Sequence, residues 1–251
     1  MRSKKAIKNI ISSLLTQVAT LICGFITPIL IIEKYGSNVN GLMTSITQFL
    51  SYISLLDLGF GPVLKSVLYS PLAKKNKNEI EGLLKYSQIF FRRISYIFII
   101  YIIILAIVYP LIVIDNFDFI FTCSLVLIIS ISTFFEYFFG ITYKLFLQAN
   151  QKTYVTSNIQ LIFLILNTLM IVLLVKLNFS IHIVKLVSSL IFVLRPIVQS
   201  IYVRKKYNFN LKNATEIKFK QKFAGLSQHI AAIVHSNTDV VVLMNYCSNM
   251  L

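Results

Sequence analysis

The sequence predicts an all-α membrane protein: six transmembrane helices forming one N-terminal bundle, plus a partial seventh helix. Three observations carry this. The 251 residues are 57% hydrophobic and only 13% charged, against about 25% charged in a soluble domain. Apolar runs of about 20 residues recur along the whole chain, each long enough to cross roughly 30 Å of hydrocarbon. The lysines and arginines alternate between connections, being dense in one and sparse in the next. A β-barrel would show alternating segments of about 10 residues, and the runs here are continuous.

The spans follow in order. The first, 7–32, is too long for a signal-peptide core and no small-residue cleavage site follows it, so it reads as a retained span. The second covers 42–69, the third 91–114, the fourth 119–142, the fifth 155–176 and the sixth 181–203. A weaker seventh runs from about 223 to the end. The domain organisation is therefore a lobe over 1–203, a basic connection over 204–222, and the start of a second lobe over 223–251. The connections 71–90 and 204–222 are candidate amphipathic surface helices. "KNEIEGLLKY" sets Ile80, Leu83 and Leu84 at helical spacing.

Orientation follows from the basic residues. The N-terminus and the second, fourth and sixth connections hold 19 of the 24 lysines and arginines. The intervening connections "EKYGSNVN", "DNFD" and "KLNFS" hold almost none. That puts the basic side, and the N-terminus, in the cytoplasm of a plasma-membrane protein. The net charge of +15 is then topology and attraction to anionic lipid headgroups, and not a nucleic-acid footprint.

Several chemistries have no signature. Cys23, Cys123 and Cys247 stand far apart in apolar surroundings and suggest neither a disulfide nor a zinc site. His182, His229 and His235 do not cluster with acids at ligand spacing. Phosphate-loop, dinucleotide, zincin and nucleophile-elbow motifs are missing from the sequence. No enzyme activity, cofactor or metal is expected.

The informative residues are ionisable groups at membrane depth, which are expensive and usually face a polar interior. Asp57 lies in span two, Glu136 in span four within "TFFEYFFG", Arg195 in span six beside Pro196, and Asp239 in span seven. Lys65 is nearer an end, where snorkelling explains it as well as function does. Glu136 reads equally as an interfacial acid near Lys144. Asp57 and Arg195 are deeper, favour a polar cavity, and are expected to meet. Span two also carries a helix break. In "LLDLGFGPVLKS", Gly59, Gly61 and Pro62 weaken or break the helix within one turn, beside Asp57. Freed carbonyls at this depth need protein or a wet cavity around them, and Pro196 repeats the theme in span six. Polar stripes line spans one and two. Their small hydroxylated residues suit helix packing, but Gln17 and Gln48 are larger than packing needs.

The run "NIISSLLTQVATLICGFITPILIIEKYGSNVNGLMTSITQFLSYISLLDLGFGPVLKSVLYSPLAKKNKNEIEGLL" resembles the polysaccharide biosynthesis (Wzx-type, O-antigen) flippases of the multidrug/oligosaccharidyl-lipid/polysaccharide exporter superfamily. "VLRPIVQSIYVRKKYNFNL" and "AGLSQHIAAIVHSNTDVVVL" extend the resemblance over nearly the whole chain. It implies transfer of an isoprenoid-diphosphate-linked oligosaccharide to the outer leaflet by alternating access between two bundles. In that scheme Arg195, Lys65, Gln17 and Gln48 would contact substrate, while Asp57, Glu136 and Asp239 would balance charge or couple an ion. The implied partners are membrane lipids, the lipid-linked oligosaccharide, and a second lobe or second copy of the chain. Glycan polymerase and glycosyltransferases belong to the same setting. Family members have two bundles, so the chain reads as a truncated copy or fragment. Two other functions stay open: a multidrug or cation exporter of the same superfamily, and a non-transporting scaffold for glycan-assembly enzymes.

Overall fold

The structure is a computed structural model that describes residues 2–57, 59–113, 117–211 and 213–217. Among these the regular structure is entirely helical. The helices are α1 (Arg2–Tyr35), α2 (Ser37–Ser51), α3 (Phe60–Lys74), α4 (Lys77–Ile112), α5 (Phe119–Phe135), α6 (Ile141–Ala149), α7 (Thr153–Lys176) and α8 (Ile181–Tyr207). A 3₁₀ turn (Tyr52–Asp57) follows α2, and a π-helical turn (Glu136–Gly140) joins α5 to α6.

Five helices are long and apolar enough to cross a membrane: Lys5–Tyr35, Lys77–Ile112, Phe119–Ala149, Thr153–Lys176 and Ile181–Tyr207. They correspond to five of the expected spans. The expected second span is not one helix. It divides into α2, the 3₁₀ turn and α3, with the break at Gly59. Gly59 takes a left-handed conformation (φ 74°), which a residue without Cβ adopts freely. Pro62 then falls in the first turn of α3, where its missing N–H has no helical partner to lose. The expected seventh span, with Asp239, lies outside the described residues.

The two candidate amphipathic connections resolve differently. Residues 77–90 are the first third of α4, continuous with the third span. Asn76 caps this helix by accepting the Glu79 amide at 3.3 Å, and its own amide donates to the Glu79 carboxylate at 3.1 Å, a reciprocal cap that starts the helix well before the apolar stretch. Residues 204–207 finish α8, and 208–211 and 213–217 return along α4 without forming a helix. There Asn210 N donates to the Glu81 carboxylate at 2.9 Å, and the Lys85 ammonium donates to the Ala214 carbonyl at 2.8 Å.

Packing follows from which faces are small. α1 lies against α7, α7 against α8, α8 against α5, and α5 against α4, while α2 leans on α1 and α5 and α3 on α4 and α6. The α1 stripe of Asn9, Ser13 and Thr16 meets α7 through hydrogen bonds. Asn9 accepts the Tyr154 amide at 2.9 Å, and Thr16 donates to the Ser157 carbonyl at 3.1 Å. Without a hydrophobic drive between helices in lipid, such small polar contacts decide the pairing. The opposite face of α1 exposes Ile11, Leu14, Leu21 and Phe25, as a lipid-facing surface should. The aromatic centre is Phe60, which stacks on Phe90 at 4.0 Å and sits edge-on to Phe91 at 5.4 Å.

α8 runs unbroken through Pro196, contrary to the helix break expected there. The proline still removes the amide that would bond the Phe192 carbonyl. What it gains is shape: a Cβ built on Gly140 would lie 2.7 Å from Pro196 Cβ and 3.3 Å from the Glu136 carboxyl group. Gly140 is thus the point where α8 and the π-helical turn touch. Gly140→Ala should lower the unfolding midpoint in detergent, at a cost of about 1–3 kcal/mol. Gly24→Ala, with nothing within 4 Å of the added methyl, should hold or raise it by up to about 1 kcal/mol. Equal midpoints for the two variants would dismiss the Gly140–Pro196 contact as a constraint.

Candidate functional site

The π-helical turn sets the site. One extra residue in the turn lets the Ile141 amide reach back to the Glu136 carbonyl, and such turns recur where a helix must re-aim side chains. The run "FFEYFFG" has the bulk to hold it. Phe134 stacks on Phe138 at 5.7 Å and Phe135 on Phe139 at 5.8 Å. Glu136 then faces α8. Its carboxylate accepts from Arg195 at 2.8 Å and lies 3.7 Å from the Lys144 ammonium. Arg195 and Glu136 keep 27% and 18% side-chain exposure, so the pair is sheltered without being sealed. The Arg195 guanidinium also lies 5.8 Å from the Phe192 ring centre, a cation–π distance.

The expected partnership of Asp57 with Arg195 is corrected: the acid on Arg195 is Glu136. The two residues are 59 apart in sequence, and nothing local in either span signals their contact. Glu136 does neighbour Lys144, and meets Arg195 as well. Asp57 is half-buried at the end of the 3₁₀ turn and within electrostatic range of the Tyr137 hydroxyl, as is Glu136. Tyr137, next to Glu136 in the π-helical turn, is buried.

Other expected residues lie apart. Gln17 is exposed in an open groove of about 520 Å³ with Thr20 and Gln160. Gln48 lines a separate cavity of about 220 Å³ with Thr27, Asn40, Thr47 and Lys185. The two glutamines do not share one site. Lys65 is half-buried on α3 and forms no ion pair among the described residues. Lys185 was missed in the sequence because it sits in the first turns of its run, where a cation passes for an interfacial one. Its spacing was the available signal. Lys185, Ser188, Phe192, Arg195 and Gln199 recur every three or four residues and so share one stripe of α8.

Fold and site together define a multi-pass α-helical membrane protein with a net-positive charge cluster inside its helical bundle. Comparison with protein-family models, with curated proteins and with solved structures gives no match.

The cluster supports an asymmetric cycle of variants. Glu136→Gln leaves Arg195 and Lys144 facing each other with no acid between them, while Arg195→Gln leaves Glu136 still beside Lys144. The first should cost more, about 2–4 kcal/mol, below the fully buried limit because both groups keep some exposure. The double variant should regain part of that loss. Unfolding midpoints of purified protein in one detergent read this directly, and strict additivity would remove the pair as a coupled unit.

Proposed function

We propose that the chain is a transport lobe that carries an isoprenoid-diphosphate-linked oligosaccharide from the cytoplasmic to the outer leaflet for surface polysaccharide synthesis. The observation that supports it is the Glu136–Arg195–Lys144 cluster. It carries one more positive than negative charge and lies on helices of membrane-spanning length. A net-positive group at that depth suits a polyanionic head moving past it, since a guanidinium fork matches a phosphate. In this reading Glu136 holds Arg195 in place when no anion is present. An arriving diphosphate exchanges with Glu136 on Arg195, and Lys144 retains the freed carboxylate.

The remaining parts follow from the same reading. The basic end of the bundle, which holds the α1 N-terminus and the α8 C-terminus, lies in the cytoplasm. The oligosaccharide head passes along the polar stripe of α8, and the isoprenoid tail stays among the exposed apolar side chains. The α2–α3 break lets one part of the lobe reorient against the rest, as broken helices do in alternating-access transporters. A second bundle, or a second copy, faces the lobe across the path. Multidrug export and scaffolding have no comparable observation behind them.

Cells that rely on this protein for their surface polysaccharide provide the test. Arg195→Ala should abolish surface polysaccharide and leave lipid-linked oligosaccharide on the inner leaflet, with the variant inserted at normal levels in the membrane fraction. Arg195→Lys, which keeps the charge and loses the fork, should retain a minor part of the flux. Normal surface polysaccharide with Arg195→Ala would sink the proposed role.

A further inference from the structure

A second cationic site shares no charged residue with the Glu136 cluster. At the basic end of the bundle, α4, the end of α8 and the returning segment after Asn208 enclose a cavity of about 540 Å³. Its lining includes Lys85, Gln88, Arg92, Arg204, Phe209 and Asn210 and, among the described residues, no acidic residue. Glu81, on α4, lines the neighbouring groove, where its carboxylate accepts the Asn210 amide and lies 3.8 Å from Lys77.

The two guanidinium groups are built into place. Arg204 donates from Nε to the Tyr143 hydroxyl at 2.8 Å and lies 5.7 Å from that ring. Gln88 donates to the same hydroxyl at 2.7 Å, so a fully buried tyrosine anchors both side chains. Arg92 lies 5.0 Å from the Phe138 ring centre, and its Nε is buried without a hydrogen-bond partner. Neither arginine forms an ion pair among the described residues. A buried donor such as the Arg92 Nε is costly unless something accepts from it.

Depth identifies the source of the acceptor. Two residues after Arg92 the apolar run of α4 begins, and one turn further it exposes Tyr96, Ile97 and Ile100. Just before Arg204, α8 exposes Val198 and Ile201. Both arginines therefore sit at the level where lipid-facing side chains give way to charge, which is the level of lipid phosphates. We propose that this cavity binds the phosphate headgroup of an anionic phospholipid, with Arg92 and Arg204 as its forks and Lys85 and Gln88 beside them. Basic pockets between membrane helices take such headgroups, and each guanidinium can meet a phosphate through two parallel hydrogen bonds. The site does not depend on the transport reading, because none of these residues belongs to the Glu136 cluster.

Lipid retention by the purified, delipidated full chain tests this, with added phosphatidylglycerol or phosphatidylcholine read by native mass spectrometry. Phosphatidylglycerol should be held at least about tenfold more tightly than phosphatidylcholine, the factor expected from one charged hydrogen-bonded contact. Arg92→Gln/Arg204→Gln should remove that preference. Ile89→Trp, which fills the cavity and keeps every charge, should remove it as well. Arg93→Gln/Lys205→Gln, which removes the same charge from neighbouring positions outside the cavity lining, should leave it. Equal retention of the two lipids by the unaltered chain would overturn the site, as would loss of preference in the Arg93→Gln/Lys205→Gln variant alone. The two sources of phosphate separate in a thermal-shift arm. Phosphatidylglycerol should raise the unfolding midpoint where inorganic phosphate at equal concentration does not, and protection by inorganic phosphate alone would overturn the lipid assignment.

Discussion

The fold depends on one contact between distant parts of the chain, where α8 meets the π-helical turn. Arg195 and Glu136 join there at 2.8 Å, and Gly140 yields its side-chain space to Pro196. Each half of the contact needs the other. A charged pair at membrane depth is tolerated only when close and well bonded. That closeness requires a backbone with no Cβ at position 140. The π turn supplies the remaining freedom by re-aiming Glu136 toward α8. Because α8 also lies between α5 and α7, this joint fixes how the fourth, fifth and sixth spans are set against each other.

Most of the architecture was legible in the sequence, for a reason specific to membranes. With no water in the hydrocarbon region, each spanning segment must satisfy its own backbone, so length and hydropathy alone mark it. Five of the expected spans appear as helices of spanning length. The break at Gly59 was equally visible, because glycines and proline act locally. Pro196 shows where local reading fails. The same residue type that follows the break in the second stretch sits inside a continuous helix in the sixth, held by a contact with Gly140 that lies 56 positions earlier in the chain. Pairing partners were not legible. Asp57 and Arg195 were both deep and opposite in charge, yet Glu136 occupies the place on Arg195.

The polar stripe of α1 makes the same distinction on a smaller scale. Ser13 and Thr16 serve the packing of α1 on α7, which was the plainer of their two readings. Gln17, one residue on, turns about 100° around the helix and meets only an open groove. Lys185, which the linear pattern did not single out, lines a second small groove with Gln48. Residue type gave the cost of burial, while helical phase and neighbours decided whether the cost was met.

The two cationic sites differ in how their charge is held, and that difference bears on what each can do. Arg195 has a carboxylate against it, so an incoming anion must compete with Glu136 and can be released when Glu136 returns. Such a site suits passage. Arg92 and Arg204 are held by aromatic rings and a tyrosine hydroxyl, none of which carries negative charge. Among the described residues no carboxylate lines that cavity, which suits a resident anion. The sites also share a wall. The run from Glu136 to Tyr143 supplies the acid of the first and, through Phe138 and Tyr143, the aromatic supports of the second. The same short segment thus braces both groups of charges, one through its acid and the other through its rings.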